Sequence, residues 1–473
     1  MAVEKYFTEL LIKKMGIEPT AGQKELFEKL GRFLTVPSEE FPLLVVRGYA
    51  GTGKTTAISA FIKVLKEIKS RFVLLAPTGR AAKVLSNYSG MQAKTIHKQI
   101  YRQKSLSDKD AKFGIDFNKS RDTVYIVDEA SLITIGSGFE NTIFGSGDLL
   151  DDLISYIRQN SGNKLILMGD SAQLPPIGLE ESPALDFDYV SQYSHLAEEV
   201  TLTEVVRQAG ESGILYNATL LRKQIEAGNL KIPRFRTGEF TDFRRIGGGE
   251  LIEELDGAIS KYGLDEVVVL CRSNLRANKY NMGIRQTVLF MEEQLTKGDK
   301  LMIVKNCYQF LENVPELDFI ANGDVAELVR IGNYEERYGL HFAQATLKFP
   351  DYNDVEIDAK IILDTLTSVS PSLDKEQQQV LFEGVYADYE DITMRKKRME
   401  KVREDRYYNA LQIKYAAAIT GHKSQGGQWK CVFIDNSLWR DDVSMDDMKW
   451  LYTAMTRAVE KVYLVNFNDK YFE

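Results

Sequence analysis

The chain is poor in the residues that staple small folds or hold structural metals. Only three of its 473 residues are cysteine (Cys271, Cys307, Cys431). They lie far apart without CxxC spacing, which argues against a zinc site or a disulfide framework and suits a reducing cytoplasm. No run of about eighteen apolar residues occurs, so no membrane span is expected. The N-terminal MAVEKYFTELLIKKMG reads as an amphipathic helix with acidic residues rather than an export signal, with Leu10, Leu11 and Met15 packing against the body. Repeats of solenoid period and long low-complexity stretches are absent too. There is no basic surplus: the net charge is −8. A basic groove can still sit on an acidic body, so composition neither supports nor excludes a polyanionic partner. The length calls for two to four domains.

What is present begins with the octet Gly48-Tyr49-Ala50-Gly51-Thr52-Gly53-Lys54-Thr55, directly after the apolar run FPLLVV and before TTAISAFIKVL. This is a strand, a phosphate-binding loop and a helix. Glycines let backbone N–H groups turn inward around phosphate oxygens. Lys54 can reach the β- and γ-phosphates, Thr55 can hold Mg²⁺, and the helix N-terminus adds partial positive charge. The pattern predicts binding of a nucleoside triphosphate.

Further strand–loop–helix units follow: RFVLLAPTGRAAKVL, TVYIVDEASLI, NKLILMGDSAQLPPIG and, in a second unit from near residue 200, LDEVVVLCRSNLRANKYNMGIR, KYAAAITGHKSQGGQWKCVFID and KWLYTAMTRAVEKVYLVNF. Such alternation is the pattern of open parallel sheets whose loops converge on ligands. Residues 101–121 alternate at Phe113, Ile115 and Phe117 like a small hairpin. Residues 325–365 alternate like a barrel or meander, preceded by the turn Asn322-Gly323-Asp324, which supports a tight hairpin. Residues 372–410 read as helical with mixed charge, a solvated face by default.

Asp128-Glu129 ends a buried strand, so Asp128 suits Mg²⁺ and Glu129 suits orienting and deprotonating an attacking water. Gln173 lies on a loop after a parallel strand, placed either to touch γ-phosphate and water or to stabilise its own turn. Arg207 and Arg457 belong to the second unit. They are either surface or ion-pair arginines, or cations that reach the triphosphate and couple hydrolysis to the distance between lobes. No carboxylate cluster beyond Asp128-Glu129 points to a nuclease.

Taken in order, TAGQKELF, GYAGTGKT, APTGRAAK, TIH, VDEAS, GDSAQLPPIG, LTEVVRQ, AITGHKSQGG and LYTAMTRA resemble the motifs of superfamily 1B (5′-to-3′) DNA helicases, the RecD-like and Dda-like branch. The resemblance implies an α/β fold of two RecA-like P-loop NTPase domains. It divides the chain into a first RecA-like domain at 1–98 and 122–195, a hairpin pin at 99–121, a second RecA-like domain at 196–320 and 411–473, and an SH3-like barrel with the charged helical segment at 321–410. It implies Lys54, Glu129, Gln173, Arg207 and Arg457 as catalytic residues. Nucleotide contacts would come from Gln23 on the base, from Gly48, Ala50, Gly51, Thr52, Gly53, Lys54, Thr55 and Thr56 in the cradle, and from Asp128 and Gly426. Thr55 and Asp128 would hold the metal. Pro77, Thr78, Thr95, His97, Thr420, His422, Lys423 and Ser424 would line the DNA path, and Phe113 would be the apolar tip of the pin. The expected cofactors are ATP and Mg²⁺; the expected partners are single-stranded DNA and a duplex fork, with single-strand DNA-binding protein or other repair and replication proteins. A cytoplasmic monomer is expected, without membrane. An RNA helicase, or a DNA-binding protein that uses ATP as a switch without unwinding, are the alternatives.

Overall fold

A computed structural model describes residues 2–103, 113–136, 145–205, 212–307, 309–311, 314, 319–436 and 442–473. The first lobe is built on six parallel strands in the order Ala93–Thr95, Arg71–Ala76, Thr123–Val127, Lys164–Gly169, Leu43–Gly48, Ala197–Leu202. The central strands are apolar almost without interruption because helices cover both faces. Leu44, Val46, Ile126 and Ile166 pack under Ile58 and Phe61 of the helix Lys54–Glu67. Val45, Val127 and Leu167 pack under Leu150 and Leu153 of the helix Leu149–Arg158. The strand Ala197–Leu202 pairs with Leu43–Gly48, so the first lobe runs past the expected limit at residue 195.

The second lobe holds five parallel strands in the order Ala418–Thr420, Val267–Cys271, Trp429–Asp435, Ala458–Val465, Phe243–Ile246. Its helices again lie on both faces. Five further strands, Lys300–Ile303, Val325–Arg337, Leu340–Phe349, Val355–Ile362 and Leu411–Tyr415, close into a barrel. The barrel thus takes strands from both sides of the expected 321–410. Leu301, Ile303, Leu411 and Ile413 point into its core beside Leu347 and Ile361. Its last pairing, Ile361 with Leu411, is parallel. A parallel pair needs a long crossover, here supplied by the helices Lys375–Asp388 and Arg395–Glu404. The first of these opens on a reciprocal cap between Asp374 and Gln377.

The expected hairpin contains an antiparallel ladder, Tyr101–Gln103 with Phe113–Ile115. Phe113 is not its exposed tip. It is 7% exposed and packs with Ile100 and Tyr101 in the first lobe's core. Among the described residues, no helix is long and apolar enough to cross a membrane.

Candidate functional site: a cleft between two lobes

The strand Leu43–Gly48 delivers the phosphate loop to the N-terminus of the helix Lys54–Glu67. Gly51 and Gly53 take φ of +76° and +78°, a left-handed backbone that favours glycine. A Cβ on Gly48 would lie 2.7 Å from Lys54 Cγ, so only glycine lets that side chain lie across the loop. There Lys54 Nζ donates to the carbonyls of Gly48 and Tyr49. Thr55 and Thr56 are exposed in the first turn of the helix. Gln23 is fully buried, and both ends of its amide are in use. Its Oε1 accepts from Thr20 N at 3.0 Å in a capping box, and its Nε2 donates to the Thr52 carbonyl at 3.0 Å. The side chain expected on the base therefore ties the helix Ala21–Thr35 to the phosphate loop.

The strand Thr123–Val127 ends at the acidic pair. Asp128 Oδ2 accepts from the Tyr88 hydroxyl at 2.7 Å and Oδ1 from Glu129 N at 2.8 Å. Tyr88, on the helix Gly79–Ser89, is a holding residue that the motif reading missed, since only the fold brings it to Asp128. Glu129 sits at φ +53°, an uncommon conformation for a side-chain-bearing residue and one that collects at functional sites. Burial pushes its carboxyl above the ordinary range. Arg457 opposes that shift, Asp128 adds to it, Lys54 opposes it and Asp170 adds to it.

The second lobe reaches this cleft through the helix Met445–Met455 and the residues just after it. Arg457, 3% exposed, brings Nη1 to 3.9 Å from Glu129 Oε1. Its guanidinium is aimed by donation from Nε to the Thr453 carbonyl at 3.1 Å and from Nη1 to the Gly427 carbonyl at 3.3 Å. Tyr452, 1% exposed, donates its hydroxyl to Asp170 Oδ2 at 2.8 Å and accepts from the phosphate-loop amide Ala50 N at 2.9 Å. The motif reading used this stretch for its arginine and missed the tyrosine. Thr453 Oγ1 accepts from Leu174 N at 2.8 Å, and Gln425 Nε2 donates to the Leu174 carbonyl at 2.5 Å. Gln173, next to these contacts, is 7% exposed and its Oε1 has no hydrogen-bond partner. A buried acceptor of this kind needs a donor, and a water or hydroxyl at the cleft would supply one. Arg207 lies outside the described residues.

The residues expected along the DNA path divide into two groups. Thr78 and Thr95 accept from Ala81 N and Lys98 N as helix caps. Gly426, expected at the γ-phosphate, has φ +73°, and a Cβ there would meet Ala81 Cβ at 2.9 Å and Thr78 Oγ1 at 3.0 Å. It is where the second lobe abuts the turn after Pro77. The barrel leans on the same turn. A Cβ on Gly79 would lie 2.5 Å from the Tyr352 hydroxyl, and Lys83 pairs with Asp351 at 2.9 Å. His97 meets the Phe319 ring at 6.3 Å, and burial holds its pKa at about 4. Burial also lowers His422 and holds Lys423 at about 8. Thr420 and Lys423 remain partly exposed. Ser424 does not: it is fully buried and donates to the Gly421 carbonyl at 2.7 Å, so its hydroxyl serves the turn and not the surface.

Among the described residues, no group of three or more His, Cys, Asp or Glu could hold a metal ion. A magnesium ion carried by nucleotide phosphates needs only one or two protein oxygens, its remaining ligands being water and phosphate. The Thr55 hydroxyl and the Asp128 carboxylate are an oxygen donor set of that kind, so the residues present fit the ion.

Residues 21–232 match the model of an AAA domain, and residues 415–465 match that of a UvrD-like helicase C-terminal domain. An uncharacterised protein of Methanocaldococcus jannaschii is 23% identical over 97% of this chain and 40% of its own length. The ATP-dependent RecD2 DNA helicase of Deinococcus radiodurans is 30% identical over 37% of this chain and 21% of its own length. The ATP-dependent DNA helicase dda of Enterobacteria phage T4 is 26% identical over 69% of this chain and 70% of its own length. The chain thus spans well under half of the first two of these relatives. The chain matches an AAA domain in front and a UvrD-like helicase C-terminal domain behind, and it is similar to the RecD2 and dda DNA helicases.

Proposed function

We propose that the protein is an ATP-dependent DNA helicase that translocates 5′ to 3′ on single-stranded DNA and unwinds duplex ahead of it. The observation that carries the reading is Arg457, which the second lobe places 3.9 Å from Glu129 of the first. Phosphoryl transfer needs cations where charge builds up, and here the cation arrives only when the lobes are together. In this reading the amides from Gly48 to Thr56 and the Lys54 ammonium take the triphosphate, with Gln23 bracing the loop. Glu129 takes the proton of a water that Gln173 Oε1 orients, and Arg457, with Arg207, meets the leaving phosphate. Magnesium at Thr55 and Asp128 would neutralise charge on the β- and γ-phosphate oxygens. Gly426 closes the second lobe on Thr78, next to the expected strand contacts. Opening a base-pair step costs on the order of 1.4 kcal/mol, so one ATP per nucleotide is ample and coupling is the limiting requirement.

The test is unwinding of partial duplexes carrying a 5′ or a 3′ tail, with hydrolysis measured in parallel. The expected outcome is ATP hydrolysis stimulated by single-stranded DNA over RNA and unwinding from the 5′ tail, both abolished in Lys54→Ala. DNA-stimulated hydrolysis surviving in that variant would overturn the site. Unwinding from the 3′ tail would overturn the polarity.

A further inference from the structure

The helix Arg395–Glu404 opens on four consecutive cations, Arg395, Lys396, Lys397 and Arg398. Cations are favoured at the C-terminal end of a helix. In the first turn they oppose its partial positive charge. No side-chain cap relieves this turn, and Met394 before it is 57% exposed. Arg398 has a packing role: it stacks over the Tyr386 ring at 3.8 Å and donates to the Tyr386 carbonyl at 2.8 Å. Arg395, Lys396 and Lys397 are exposed and have no carboxylate partner among the described residues. Carboxylates outnumber lysine and arginine in this chain, 68 to 60. Neighbouring cations have found them: Arg337 pairs with Asp388 at 2.9 Å and Lys401 with Glu404 at 2.8 Å. Three adjacent unpaired cations, set against the helix dipole, are a local cost that packing does not explain.

The helix is held firmly. Val402 is fully buried against Leu381 and Val385 of the preceding helix and Phe342 of the barrel. The segment is rooted where Leu373 N donates to Gln412 Oε1 at 2.9 Å. Two residues on, Lys414 is held at about 8 by burial and by the neighbouring Lys423, one of the residues expected on the DNA path. The aromatic side chains of this unit, Phe382, Tyr386, Tyr389, Tyr407 and Tyr408, are partly buried and pack against its core. Single-strand sites combine cations with stacking platforms, whereas the backbone of a duplex is held by charge alone.

We propose that Arg395, Lys396 and Lys397 form a docking surface for the phosphate backbone of duplex DNA, the fork arm beyond the strand held between the lobes. This rests on the helicase reading. The experiment compares the full chain with its Arg395→Gln, Lys396→Gln, Lys397→Gln variant and with the charge-keeping Arg395→Lys, Lys396→Arg, Lys397→Arg variant. Affinities for a tailed fork and for the tail alone are measured across a salt series. In the neutral variant, the slope of log affinity against log salt falls by about 2.7 for the fork, the value for three phosphate contacts. It is unchanged for the tail, as is hydrolysis stimulated by single-stranded DNA, and the charge-keeping variant retains the full slope. An unchanged fork slope, or equal losses on fork and tail, overturns the docking surface. Absence of DNA-stimulated hydrolysis in the unsubstituted chain overturns the helicase reading itself, and this surface with it.

Discussion

The Tyr452 hydroxyl joins the lobes at the phosphate loop, between Ala50 N and Asp170. Tyr452→Phe removes one atom and leaves a part-buried N–H and a buried carboxylate oxygen short of a partner, about 1–3 kcal/mol if neither relaxes. The expected outcome is an unchanged fold with kcat/KM for ATP lowered about tenfold. Values of kcat and KM both within twofold of the parent would remove the tyrosine from the coupling. Arg457 and Glu129 make a second residue-scale case, on pH. Burial raises the Glu129 carboxyl and Arg457 is the largest influence holding it down. A base must be ionised to act, so Arg457→Gln moves the acid limb of kcat/KM for ATP to higher pH as well as lowering the rate. A limb that stays in place or moves to lower pH would separate the two groups. Neither tyrosine contact was legible beforehand, because Tyr88 and Tyr452 carry no motif chemistry. Their roles arise when the fold sets a helix of one element against a strand end of another.

At the scale of elements, the barrel's contact with the first lobe is expected to respond to pH. Asp324, 4% exposed, accepts from Ala321 N at 2.8 Å and from the Tyr352 hydroxyl at 3.0 Å. Tyr352 in turn faces Gly79. Burial pushes this carboxyl up to about 7, against those two hydrogen bonds and with the help of Asp351. A carboxyl raised in the folded state binds its proton there while the unfolded chain has released it. Its stabilising contribution is therefore present below the unfolded pKa and declines as pH rises to about 7. Asp324→Asn keeps an acceptor for Ala321 N and turns an N–H donor toward the Tyr352 hydroxyl, which then accepts instead of donating, without the charge. It is expected to raise the melting temperature at pH 8 by a few degrees and to change little at pH 4. Equal shifts at both pH values would show that the carboxyl is not the titrating group. The Asn322-Gly323-Asp324 turn was legible from its residues. The resemblance put Phe113 at the pin's apolar tip, whereas it packs in the first lobe's core; alternation in so short a strand says that two faces differ and not which one meets the core.

Across the whole molecule, the strand ends that carry Lys54, Asp128 and Gln173 could be located because parallel strands covered on both faces are apolar runs bounded by loops. The limits of the units were less legible. Ala197–Leu202, Lys300–Ile303 and Leu411–Tyr415 are strands of ordinary composition, and which sheet or barrel they join is decided by pairing far along the chain. Positive charge is similar: a net charge of −8 conceals where lysine and arginine lack partners, and only the fold shows that the first turn of Arg395–Glu404 is one such place.

The barrel is no detachable cassette. Its closing strand, Leu411–Tyr415, passes through Ala416 and Ala417 straight into Ala418–Thr420 of the second sheet, with Ala416 N bonded to the Lys300 carbonyl at 3.0 Å. The loop holding Gly426 follows within a few residues. Under the proposed helicase reading, a pull on the barrel would pass along this short, hydrogen-bonded length of backbone to the seam where Gly426 meets Thr78, and load on one arm of a fork would register there as mechanical strain.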